Sequence, residues 1–515
     1  MPFKYLPNAN VPCLAWLASV NSSTGECRIE HGRLIEARER FFVEGVWPGP
    51  FQDGNFDRCE TFFGSGAVKR SDDEIAFIPS SATVDFLYYS VTAERVFCSN
   101  SLPYLLAACD DKLDEFNPEY SRINNSIVKG IDNYEQKIPT RRGNVGRLMY
   151  YNLVVKGGMV RQEAKPLPPV FDSFEQYRSY FSDILTRIIQ NARDPDRSVQ
   201  LKVLSTQSTG YDSTAINAIA RDSGVDLALS ISEPKERLNY FRRKQELNRP
   251  SDSGEEICRQ LGIKMASIDR RYFLKDPNFE KLYWAGVHCC EDMNLHEVCK
   301  YVEKGAVLLT GQLGEMWYNA SSTPSDRLRM VNDQLEKWDL SGASLSEARL
   351  HIGYVHAPAP YIGARSRKSI FALTHSESMR NWSIGGTYDR PIPRRLAEEA
   401  GVPRHLFGQV KLATVVELLP PYLPHGSLLR KEFSSYVKRK RGPLALMQMR
   451  LLPKINSAVV KLQWRIGRLP PWLLLGKLVN RIPMLGRRFN SVLYAYCVNK
   501  TARAYVDTRK SEKAG

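Results

Sequence analysis

Near residue 170 the hydrophobic pattern of this chain changes period, and that change limits the possible folds more than any other feature. Up to about residue 165 the apolar residues come in short β-branched and aromatic runs bounded by Gly, Ser, Asp or Asn: Ile75–Ile78, Val84–Tyr89, Arg95–Cys98 and Arg147–Val155. Consecutive short strands predict antiparallel sheets. The proline-rich connection Pro166-Leu-Pro-Pro-Val170 ends this part. Beyond it, Asp172 with Glu175 reads as a capping box, and Phe181, Ile184, Leu185, Ile188 and Ile189 recur at helical spacing, which predicts a helix of about five turns. A strand over Val199–Leu204 follows, then a loop, a helix through Ile216 and Ile219 that Gly224 closes, and a strand over Leu227–Ile231. Val307–Thr310 is a further central strand. Alternation of this kind predicts a parallel sheet covered by helices.

At 515 residues the chain has room for two or three domains with full cores. A content of 43% hydrophobic and 25% charged residues excludes a disordered or collagen-like chain, and no uncharged apolar stretch approaches the ~18–20 residues that span a bilayer. Met1-Pro2-Phe3-Lys4 opens without the apolar core of a secretory signal. Ten cysteines without a CxxC pair read as scattered thiols in a reducing compartment, so a cytoplasmic location is expected.

Charge is unevenly placed. From Arg430 onward, 20 Lys and Arg face 3 Asp and Glu, whereas residues 1–429 carry 52 against 53. The basic end holds Lys438-Arg-Lys-Arg441 and an apolar run from Leu469 to Arg488, where Pro470, Pro471, Lys477 and Pro483 forbid one long spanning helix. With Trp464 and Trp472 interleaved, residues 430–515 read as a basic amphipathic extension that fits an anionic membrane surface or an acidic partner at least as well as nucleic acid. A solvated terminal extension is the plainer alternative.

The segment Val203-Leu-Ser-Thr-Gln-Ser-Thr-Gly-Tyr-Asp-Ser-Thr-Ala215 carries the chemistry. A strand runs into a loop of hydroxyl and glycine residues and a helix starts at once, which aims backbone N–H groups and a positive helix end at one point, as in phosphate sites. Ser208, Thr209, Ser213 and Thr214 add hydroxyls, and Asp212 makes sense there if Mg²⁺ bridges it to phosphate. Neither GxxxxGK[ST] nor GxGxxG is present in this loop. The densest group of ligand-type residues, His288, Cys289, Cys290, Asp292, His296 and Cys299, fits no zinc spacing and reads as a helix with buried thiols.

Ser208-Thr-Gly210-Tyr-Asp212-Ser213 resembles the SGGxDS pyrophosphate loop of the asparagine synthetase and β-lactam synthetase family, with Thr209 in place of the second glycine. Ser251-Asp-Ser-Gly-Glu-Glu resembles that family's acidic turn opening a helix, and Thr310-Gly-Gln-Leu-Gly-Glu-Met-Trp317 resembles its GDGxDE loop. The resemblance places Glu315 as a second Mg²⁺ ligand beside Asp212, Gln312 where the family has an acid, and Glu377 near a substrate-facing glutamate. The stretch Tyr388–Lys411 looks like the one ending in a lysine that balances charge on the adenylate, here Lys411.

The implied fold is an N-terminal-nucleophile (Ntn) hydrolase-like αββα sandwich over residues 1–168, then an adenine-nucleotide α-hydrolase-like (PP-loop) α/β domain over 169–429, then the basic extension 430–515. The implied reaction is an ATP- and Mg²⁺-dependent, AMP-forming amide synthesis from a small-molecule carboxylate and an amine or ammonia. Glutamine hydrolysis needs a cysteine as first residue. Removal of a twelve-residue leader would expose Cys13; otherwise the domain keeps the fold without that activity. Two other classes stay open: a catalytically silent scaffold recruited through its basic end, and a pyrophosphatase that adenylates a nucleic-acid base.

Overall fold

The computed structural model describes residues 3–233, 251–287, 291–322, 335–336, 340–386, 388–412, 414, 423–466 and 487–514. It is a mixed α/β structure with three sheets. The first has seven strands in the order Lys4–Pro7, Cys27–His31, Trp16–Asn21, Arg95–Ser99, Leu87–Val91, Asn144–Leu148 and Lys137–Pro139. The second has six, in the order Met159–Glu163, Asn152–Lys156, Glu74–Ile78, Phe63–Lys69, Phe41–Val46 and Glu36–Ala37. Adjacent strands are antiparallel, as the short runs predict, except that Lys4–Pro7 lies parallel to Cys27–His31. The two sheets share a core in which Trp16, Val20, Val96 and Cys98 of one meet Phe42, Phe77 and Leu153 of the other, with Trp16 stacked on Phe77 at 6.0 Å.

The run Arg147–Val155 is not one strand. Tyr150 takes a φ of 68°, and the chain passes there from the seven-stranded sheet to the six-stranded one. Met149 and Tyr150 are buried at the crossing, so their apolarity reports burial and not strand pairing.

The third sheet has five strands, all parallel, in the order Met265–Ser267, Leu227–Ser230, Lys202–Thr206, Ala306–Thr310 and Tyr354–Pro358. In chain order this is 3-2-1-4-5, the arrangement of a Rossmann-like α/β domain. Its helix Phe174–Ala192 buries Phe181, Leu185, Ile188 and Ile189, the stripe read from the sequence. Its cap lies one residue later than the capping box expected at Asp172 and Glu175. Ser173 Oγ accepts the Gln176 N–H at 3.2 Å, and Gln176 Oε1 accepts the Asp172 N–H at 2.9 Å.

The three sheets belong to one continuous body. Arg349 is fully buried and donates to Glu44 at 2.8 and 2.9 Å and to Asp85 at 2.7 Å, tying the parallel-sheet part to the first 168 residues. The basic end joins the same body, which corrects its reading as a separate extension. Helix Arg487–Ala514 buries Leu493, Cys497, Val498 and Tyr505 and packs against helices Leu102–Ala108, Tyr120–Asn125 and Glu280–Ala285. Asn499 clasps the Leu113 backbone with two hydrogen bonds of 2.9 Å. Lys500 and Arg503 therefore ride on a helix whose other face is core. Lys438–Arg441 lie on the helical segment Ser427–Ile466, broken at Gly442 by a φ of 81°. The run from Leu469 with Trp472, and the side chain of Trp464, fall outside the described residues. No described helix is long and apolar enough to cross a membrane.

Candidate active site

In an open parallel sheet, loops diverge where the strand order reverses and leave a crevice at the carboxyl ends of the strands. Here that point lies between Lys202–Thr206 and Ala306–Thr310. A cleft of about 270 Å³ opens there, lined by Ser208, Gly210, Asp212, Ser213, Gln312, Glu315, Arg390 and Lys411 among others.

The first loop leaves strand Lys202–Thr206 and enters helix Tyr211–Ala220 through Gly210, which caps the helix without a side-chain bond. The amides of such a first turn have no intrahelical acceptor and form the positive end of the helix, and Gly210, Asp212 and Ser213 line the cleft. Ser208 and Ser213 reach the cleft and brace each other: the Ser213 hydroxyl accepts the Ser208 N–H at 3.1 Å, and Ser208 Oγ accepts the Gly210 N–H at 3.1 Å.

Thr209 and Thr214, expected as phosphate ligands, are turned inward. Thr209 donates its N–H and its hydroxyl to Asp252 Oδ1 at 3.0 and 2.6 Å, and its carbonyl accepts the Gly408 N–H at 2.8 Å. The threonine does not take a left-handed backbone, and neither does Gly210, which is extended at φ −77°. Fully buried Thr214 donates to the Gly210 carbonyl at 2.7 Å and accepts from Gln207 Nε2 at 3.0 Å. Both residues shape the loop and present no hydroxyl to a ligand. Asp252 belongs to the acidic turn singled out in the sequence, where nothing pointed to its task of holding Thr209.

The second loop follows strand Ala306–Thr310 and bends through Leu313 at φ 65°, a conformation that costs a non-glycine residue about 1 kcal/mol or more. It wraps the carboxyl of Asp212 so closely that a Cβ on Gly314 would lie 1.9 Å from Asp212 Cγ, and one on Gly311 would lie 2.9 Å from Asp212 Cβ. Gln312 donates its amide to Asp292 at 3.0 Å, and its buried Oε1 has no partner among the described residues. Asp292 also accepts from the Gly342 N–H at 2.9 Å and from Ser344 Oγ at 2.5 Å, so it is a brace behind the loop.

Arg390 is the residue that sequence reasoning missed. It precedes Pro391, the first residue of helix Pro391–Glu399, which packs on helix Tyr211–Ala220. Its side chain is 4% exposed; Nη1 donates to both Asp212 oxygens at 2.6 and 2.8 Å, and Nη2 donates to Glu315 at 3.4 Å. Burial raises the Asp212 carboxyl above its ordinary value, a trend that Arg390 opposes and Glu315 reinforces. Burial also acts to lower the Arg390 guanidinium, but Asp212 and Glu315 outweigh it and hold the group above its usual range.

Lys411 reaches the rim, 3.8 Å from Glu315, with its side chain 64% exposed; it is not the buried ammonium expected. Glu377 is not brought to the cleft. It is exposed and pairs with Arg380 at 2.8 Å in the short 3-10 turn Glu377–Trp382.

The donor set does not suit a Mg²⁺ ion held directly by Asp212 and Glu315, as expected from the sequence. Mg²⁺ demands oxygen ligands at about 2.0–2.1 Å in an octahedron, and a guanidinium already occupies the space between these two carboxylates. Two cations, Arg390 and Lys411, face them, and Gln312 supplies no charge.

Elsewhere, His288, Cys289 and Cys290 lie outside the described residues. Asp292, His296 and Cys299 fall on a helical segment of 3-10 type, Glu291–Lys300. His296 pairs with the Tyr283 hydroxyl at 3.0 Å. Cys13 is buried, with its thiol donating to the Leu350 carbonyl at 3.3 Å, and burial pushes that thiol up to about 11. No protein-family model and no curated protein matches this chain.

Proposed function

We propose that the switch-point cleft binds the phosphates of ATP and that the protein is an AMP-forming carbon–nitrogen ligase. In this reading the paired sheets are the Ntn-hydrolase-like sandwich and the parallel sheet is the PP-loop domain. The observation that carries it is the convergence on one cleft of the uncapped Gly210 helix start, the Ser208 and Ser213 hydroxyls, Arg390 and Lys411. Backbone N–H groups, hydroxyls and two cations form the donor set that a leaving pyrophosphate needs.

ATP supplies the activation: a substrate carboxylate oxygen bonds to the α-phosphorus, the bond to the bridging β-oxygen breaks, and pyrophosphate leaves. An amine nitrogen then bonds to the acyl carbon, loses a proton and displaces AMP. Lys411, at the mouth, is placed to meet charge on the α-phosphate, and Arg390 keeps Asp212 from repelling the anion. Cys13, buried and protonated in this fold, supplies no glutaminase nucleophile, so the nitrogen comes from ammonia or a substrate amine. The reading places the enzyme in the cytoplasm, with a peripheral contact through its basic end.

The test is ATP–pyrophosphate exchange with panels of small carboxylates, run with and without each acid. Exchange that depends on a carboxylate is expected. A second reading, the silent scaffold, is favoured by one observation, the buried pairing of Asp212 with Arg390. Absence of both exchange and ATP binding selects it.

A further inference from the structure

We infer that Arg390 stands in for a divalent cation between Asp212 and Glu315, so that this cleft takes its phosphate-bearing ligand without a protein-bound metal. This rests on the nucleotide reading above. Three observations lead to it.

The first is occupancy. One guanidinium spans both carboxylates, with two bonds to Asp212 at 2.6 and 2.8 Å and one to Glu315 at 3.4 Å. A metal bound by those oxygens would have to expel it. The second is the burial of the group that a metal would displace. Arg390 is 4% exposed and sits between the Tyr388 ring, 5.8 Å away, and Pro391 at the start of a packed helix. Its neighbour Asp389 is held through Oδ2 by Ser383 Oγ at 2.5 Å and by the N–H groups of Ile384 and Gly385 at 3.0 and 2.8 Å. A metal at the two carboxylates would therefore part a buried guanidinium from both of its ion-pair partners, which is unfavourable.

The third is fit at the carboxylate. Asp212 lies against the backbone of Gly314, where an added Cβ would sit 1.9 Å from its Cγ and 2.2 Å from both oxygens, so that side of the carboxylate is closed to a metal and its water shell. Charge closes the argument: Asp212 and Glu315 are balanced by Arg390 and Lys411 before any ligand arrives. A guanidinium supplies a fixed positive charge and a planar fork of donors, here spent on the two carboxylates in place of a metal.

The experiment is calorimetric titration of ATP, and separately of inorganic pyrophosphate, into the full-length protein in EDTA and in Mg²⁺. A Kd in EDTA within about fivefold of that in Mg²⁺ is expected, and a larger dependence overturns the inference. Binding in Mg²⁺ alone leaves the nucleotide site standing and removes only the metal-free claim; no binding in either buffer removes both. Arg390→Gln should convert the pair of carboxylates into a cation site and make binding at least about tenfold Mg²⁺-dependent; a folded variant as insensitive as the parent overturns the inference. Glu315→Gln, at a half-exposed position, removes a negative charge facing the ligand and should tighten pyrophosphate in EDTA by up to about fivefold. Weaker binding confined to Mg²⁺ buffer would mark Glu315 as a metal ligand and overturn it.

Discussion

A single methyl group at Gly314 probes the cleft directly. Gly314→Ala places a carbon 1.9 Å from Asp212 Cγ, so either the loop or the Asp212–Arg390 pair must move. The expected result is a loss of about 1–3 kcal/mol in urea unfolding together with weakened ATP binding; unchanged values for both would mean that the carboxyl is not packed as described. Lys165 gives a prediction in pH. It is buried, donates to Asn152 Oδ1 at 2.8 Å, and burial lowers it to about 7 against the opposing pull of Cys59, Asp57 and Glu60. Between about pH 7 and 10 the folded protein holds this lysine neutral while the unfolded chain keeps its proton, so stability rises with pH in that window. Measured against Lys165→Met from about pH 6.5 to pH 9, the parent should gain relative stability; a flat difference would contradict the shift. At this scale the sharing of one cleft by Ser208, Gly210, Asp212 and Ser213 was legible because they lie within one short turn. Thr209 and Thr214 have the same chemistry, but Asp252 and the Gly210 carbonyl claim their hydroxyls, and no property of a threonine announces its partner.

Helices and strands were read well where one face is buried along their whole length. The helix Phe174–Ala192 shows its stripe because only one side meets the core, and its start depends on Ser173. Ser173→Ala should cost about 1 kcal/mol in denaturant titration by removing the acceptor for the Gln176 N–H; no change would show that the Gln176 side chain alone holds the end. Composition misled where residues are buried on every side. Arg147–Val155 looked like a single strand although Tyr150 breaks it. Apolarity there records burial alone, which carries no period.

The assembled molecule places the basic end differently from its charge. Helix Arg487–Ala514 fills a groove between the first sheet's helices and Glu280–Ala285, with Tyr505 donating to Glu347 at 3.0 Å and Ser491 to the Pro118 carbonyl at 2.8 Å. A chain ending before Arg487 should expose that groove, bind a hydrophobic dye and lose its cooperative melting transition; a truncated protein that melts like the parent would show the helix to be dispensable. By itself the amino-acid sequence settled what depends on neighbours along the chain: the change from paired short strands to βα alternation, the amphipathic helix at 174–192, and a glycine and hydroxyl turn between a strand and a helix. Only the folded molecule decided that Arg390, 178 residues from Asp212, would fill the space between the two carboxylates, and that a strongly charged terminus would lend one face to the core. The reason is physical: patterning reports which way a residue faces within its own element, whereas the partner it meets is set by how separate elements pack.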